Sequence, residues 1–162
     1  MNYKIEQFKE HMHQSMLMNF KKNGFLVPVI FFLFCGRSII EKIPQNLLSS
    51  PEGKDHLANA IKHMCEDPRV TAAGIIIEAN AAKIKADNEL INSIFNGDVK
   101  VSELKEKKDI IIMVFSTFEG EEMISYVVDS SNKIIVEPFN DNDDNKGSYG
   151  GRFSNFFSWN KN

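Results

Sequence analysis

Residues Phe25 to Cys35 (FLVPVIFFLFC) are the most apolar stretch of the chain, only eleven residues long and containing Pro28. A bilayer-spanning helix needs about twenty apolar residues, so a run of this length reads as a core strand and not as a membrane anchor. The residues before it carry Glu6, Glu10 and two histidines in place of a short basic region followed by an apolar one, which is not the pattern of a secretion signal. A cytosolic protein without a membrane partner is expected.

The 162 residues fit one compact domain able to bury roughly two-thirds of its unfolded surface. The net charge is -3 with lysines spread along the chain. No basic face is then available for duplex nucleic acid, and an acidic partner is not favoured either. The two cysteines, Cys35 and Cys65, do not make a disulfide framework; they read as two buried free thiols in a reducing compartment.

Around the apolar strand the residue periods set an order of elements. Ile5, Phe8, Met12, Met16 and Phe20 recur at spacings of three and four, the stripe of an amphipathic helix over residues 2–22. Asn23-Gly24 then supplies a left-handed cap. Cys35-Gly36 breaks the apolar strand, and Arg37 to Ile43 pairs back on it until Pro44. Ser49-Ser50-Pro51-Glu52 is a helix start, a hydroxyl at the cap with proline just inside. Leu57, Ala60, Ile61 and Met64 are its expected buried stripe, and Asp67-Pro68 ends it. Val70 to Ala82 predicts a strand covered on both faces, with helix as the alternative for its Ala-rich second half.

Leu90, Ile91, Ile94 and Phe95 suggest a short helix over Asn88 to Phe95, closed by Asn96-Gly97. Ile110 to Thr117, Met123 to Asp129 and Lys133 to Glu137 are β-rich runs separated by turn residues, the spacing of an antiparallel meander. The expected fold is α+β. A mostly antiparallel sheet of about five strands carries two main helices packed on one face, in the order α-β-β-α-β-(α)-β-β-β. Residues 1–139 form this domain, and 140–162 are an acidic, Gly-rich linker with an aromatic tail.

That order is similar to the order in roadblock- and profilin-like domains, a likeness of fold alone. A second resemblance lies in a helix followed by FKKNGFLVPVIFFLFCG, an apolar strand running into Glu78-Ala79, and a loop with Ser102-Glu103 before IIIMVFST. This pattern resembles uncharacterised small proteins of phage and bacterial genomes. It implies a phage-linked or bacterial origin and brings no activity.

Candidate chemistry is sparse. His11 and His13 are two apart, which on a helix turns their imidazoles about 200 degrees from each other and prevents joint chelation. His63 and Cys65 fail in the same way. His56 and His63, two turns apart, share a face but lie roughly 10 Å from each other. No metal and no cofactor are expected. Cys35 beside Gly36 is a place for an exposed thiol, but a nucleophile pair needs an imidazole converging on it. Glu78 closes a buried strand, either as a pocket carboxylate or, more ordinarily, as a strand end reaching solvent. Asp141, Asp143 and Gly147 are loosely like a calcium loop without the closing glutamate, so that stretch reads as a solvated linker.

The tail is what folding alone explains least. Its linker runs through Gly147, Gly150 and Gly151 into Arg152, Phe153, Phe156, Phe157 and Trp159. Bulky apolar anchors of this kind need a pocket. Three seats are open: the chain's own sheet, which the aromatic spacing permits; a partner protein, with the linker as tether; or the bases of single-stranded nucleic acid, where a basic groove should accompany them. The functional expectation is a non-enzymatic interaction or assembly protein of phage origin, with Arg152, Phe153, Phe156, Phe157 and Trp159 binding the partner. The alternative is a ligand-binding or enzymatic domain with a pocket near Cys35 and Glu78.

Overall fold

The elements run α1 (Tyr3–Asn23), β1 (Val29–Phe34), β2 (Arg37–Lys42), α2 (Gln45–Leu48), α3 (Pro51–Met64), β3 (Val70–Ala81), β4 (Lys108–Thr117), β5 (Gly120–Asp129) and β6 (Ile134–Pro138). The structure is a computed structural model of the chain and describes residues 3–81, 92–94, 96–99, 108–129, 134–138 and 153–157. Its strands form one sheet in the order β2-β1-β3-β4-β5-β6, with each neighbouring pair antiparallel. The fold is α+β, as the residue periods predict, and the sheet has the six strands that the expected order contains.

β1 and β2 make a hairpin whose two turn residues, Cys35 and Gly36, sit at φ 49° and 74°. Positive φ at both central positions gives a type I′ turn, whose twist matches that of the strands it joins. The Cys35 N–H donates to Arg69 O at 3.0 Å, tying the turn to the start of β3. Ser50 caps α3 by accepting from Gly53 N–H at 3.0 Å, with Pro51 just inside, as the sequence signal requires.

Side chains alternate along each strand and divide the core in two. Phe31, Leu33, Ala72, Ile76, Ile111, Met113 and Phe115 share one cluster with Phe8, Met12, Met16 and Phe20 of α1. Phe32, Ala73, Ile75, Ile110, Ile112 and Val114 share the other with Leu57, Ala58 and Ile61 of α3. The helices therefore cover opposite faces, which corrects the expectation of both on one face. The cause lies in β1, β3 and β4. Each is apolar at consecutive residues, so both of its faces need cover, and a single layer of helices supplies only one.

Two local expectations also change. β3 remains extended through Ala81, with Ala79 opposite Ile110 and Ala81 opposite Lys108. A ladder partner at every residue outweighs helix propensity differences of less than about 1 kcal/mol per residue. In α3 the buried face is Gly53, Leu57, Ala58 and Ile61, while Ala60 and Met64 point outward. Asn92 to Ile94 are helical, with Asn96 N–H on Asn92 O and Gly97 at φ 80°; the rest of the expected 88–95 helix lies outside the described residues. Among the described residues no helix is long and apolar enough to cross a membrane.

Candidate interaction surface

The aromatic tail returns to the sheet. Phe153, Phe156 and Phe157 are 4%, 0% and 4% exposed and belong to the cluster on the α3 side. Asn155, at φ 56°, turns the segment, and its N–H donates to Glu121 Oε2 at 2.9 Å. The same oxygen accepts from Ser116 Oγ at 2.8 Å, so one carboxylate joins β4, β5 and the tail. Phe157 meets Phe118 in the β4–β5 turn with ring centroids 4.8 Å apart. Of the three seats open to these phenylalanines, the structure shows the chain's own sheet. They are not presented to solvent, so the expectation that they stand free to anchor a partner does not hold in this conformation. The physical reason is that α3 lies over β3, and the turn end of β4 and β5 on that face takes the tail as its cover. Arg152, Trp159 and the 140–145 stretch lie outside the described residues.

A cleft of about 250 Å³ opens where α1 meets the β4–β5 turn, lined by Glu6, Lys9, Glu119, Glu121 and Glu122 among others. Lys9 Nζ sits 3.2 Å from Glu6 Oε2 and 3.0 Å from Glu122 Oε2. Burial pulls the pKa of this ammonium down, but the two carboxylates outweigh it and leave it raised. The arrangement is a clamp in which one ammonium bridges two carboxylates and ties α1 to β5. Among the described residues no group of three or more His, Cys, Asp and Glu is placed to hold a metal ion.

Cys35 and Glu78 stand at opposite ends of β1. Phe34 pairs with Val70 and Val29 with Ile76, so at 3.3 Å per residue the two side chains are separated by roughly 20 Å or more of strand. Among the described residues the strand register does not bring these two side chains together into one site. Glu78 Oε1 instead accepts from Leu26 N–H at 3.0 Å and ties the α1–β1 connection to β3. Cys35 is exposed and Cys65 buried, so the expectation of two buried thiols holds for one. Burial pushes the Cys65 thiol up to about 12. Near the Cys35 turn, Arg69 Nη2 contacts Asp67 Oδ2 at 2.7 Å and the guanidinium lies 4.8 Å from the centroid of the Phe34 ring. This hydrogen-bonded partner holds the Asp67 carboxyl down at about 2. His13 stacks on Tyr126 with Nε2 3.0 Å from the phenol oxygen, and His63 Nδ1 lies 3.2 Å from Glu66 Oε2.

The outer edge of β2 is different in kind. It is the last strand of the sheet, and every residue of it except Ile39 is exposed. Ile43 N–H donates to Pro28 O at 3.0 Å, and the register continues through Glu41↔Ile30, Ile39↔Phe32 and Arg37↔Phe34. These odd-numbered residues turn their backbone groups toward β1. Alternate residues of an antiparallel strand point the other way, so Ser38, Ile40 and Lys42 present N–H and C=O outward. Arg37, Ile39 and Glu41 stand on the face of α3, and Ser38, Ile40 and Lys42 on the face of α1, with Ile40 46% exposed. Sequence reading found this strand but not its place at the edge, which depends on β3 pairing with the other side of β1.

No family model, no curated protein and no solved structure matches this chain.

Proposed function

We propose that this protein is a non-enzymatic interaction or assembly module, of phage or bacterial origin, that engages another protein chain through the β2 edge of its sheet. One observation carries the reading. Helix α1 covers one face and α3 with the tail covers the other, while β2 keeps outward-facing backbone donors and acceptors and an exposed isoleucine. An added strand gains affinity from main-chain hydrogen bonds and specificity from alternate side chains. In this reading the phenylalanines of the tail serve the contact indirectly, by closing the α3 face, and Arg152 and Trp159 are the tail residues proposed to reach a partner.

Ile40→Pro tests the proposal. It removes an N–H that points away from β1, leaving the hairpin ladder intact and denying a partner strand its bond. In extracts of the cells that make it, the intact protein should migrate as a species larger than the monomer. The variant should migrate as a folded monomer with an unchanged far-ultraviolet spectrum. A complex of the same size in both, or a monomer in both, contradicts the proposal.

A further inference from the structure

We infer that the strand added to β2 is β2 of a second copy of this chain, paired antiparallel about a two-fold axis at Ile39. The inference rests on the edge-docking reading above and names the partner and the register. Because Ser38, Ile40 and Lys42 face outward, each must meet another outward-facing residue, which restricts self-pairing to registers centred on a residue rather than between two.

Among these, the register centred on Ile39 sets Arg37 opposite the partner's Glu41, and by symmetry Glu41 opposite the partner's Arg37. Both charges lie on the α3 face with Ile39 between them, so two ion pairs flank an isoleucine contact. Ser38 and the partner's Ile40 exchange both of their backbone hydrogen bonds, which covers the exposed Ile40. Centring on Ile40 instead sets Arg37 against the partner's Ile43 and Glu41 against the partner's Ile39, leaving both charges unanswered. Centring on Glu41 opposes that carboxylate to itself, and centring on Ser38 runs Glu41 past the end of the partner strand. Charges on edge strands ordinarily keep edges apart. Here opposite signs stand two residues on either side of Ile39, so the edge is complementary to itself in one register. The product is a two-fold dimer with a continuous sheet, six strands from each copy.

Sedimentation of the purified full chain over a range of concentrations, at low salt, tests this. The wild-type chain should dimerise. Arg37→Glu and Glu41→Arg, each alone, should weaken dimerisation by at least about tenfold, because like charges then face each other twice. Mixing the two variants should restore a one-to-one heterodimer, since each then carries the charge that the other needs. The double variant should again form homodimers. Rescue on mixing reports the facing charges and cannot arise from a folding defect. A dimer indifferent to both substitutions overturns the register, and a wild-type chain monomeric at the highest concentration reached overturns the second copy as partner. In either case the edge-docking reading is judged separately, by whether Ile40→Pro changes the size of the complex in cell extracts.

Discussion

A Cβ added at Gly74 would run into Val114 O and the Phe31 ring. That ring stands edge-on to Phe8, with centroids 5.6 Å apart, and stacks on Phe115 at 5.9 Å. Gly74→Ala must therefore part β3 from β4 or displace Phe31 from both partners. Overpacking of this kind costs about 1–3 kcal/mol, which denaturant unfolding would read directly; an unchanged midpoint would contradict the close approach. The thiols give a second check at this scale. Cys35 in its exposed turn should react with a disulfide reagent in the native protein, whereas Cys65, buried and pushed up to about 12, should react only after unfolding. Two fast thiols per chain would contradict the packing of α3. The expectation of buried thiols held for Cys65 and not for Cys35, because a cysteine ending an apolar run belongs to the strand or to the turn, and only the turn geometry decides.

Helix α1, the β1–β2 hairpin, the cap of α3 and the meander of β4 to β6 were all legible, since each rests on a local period or a cap residue. Which face a helix covers is not local. It follows from the parity of buried residues in β1, β3 and β4, and consecutive apolar residues carry no parity in the sequence. The seat of the tail was open for a related reason: the spacing of Phe153, Phe156 and Phe157 suits a helix face, a covering element or a docking peptide equally. Glu121, which holds the tail through Asn155 N–H, gave no signal among the other acidic residues of its turn. Phe156→Ala should cost about 3–5 kcal/mol, the loss for a fully buried aromatic. Thermal and denaturant unfolding of the intact chain would measure it. A variant as stable as wild type would mean that the tail leaves the sheet in solution, and would return these phenylalanines to the pool of free anchors.

For the whole molecule, strand order decides what is available. Because β3 and β4 hold the centre, β1 is enclosed and β2 and β6 are left outermost, with α1 packed on one face of the sheet and α3 and the tail on the other. The β2 edge and its two opposite charges carry the functional account. Residue-resolved amide hydrogen exchange at low and at high protein concentration tests that account most directly, because β2 alternates between amides that face β1 and amides that face out. The account predicts that Ile39 and Glu41 are protected at both concentrations, and that Ser38 and Ile40 exchange quickly in dilute protein and gain protection as the protein is concentrated. Fast exchange of Ser38 and Ile40 at every concentration, with the chain sedimenting as a dimer, would place the contact elsewhere and contradict it.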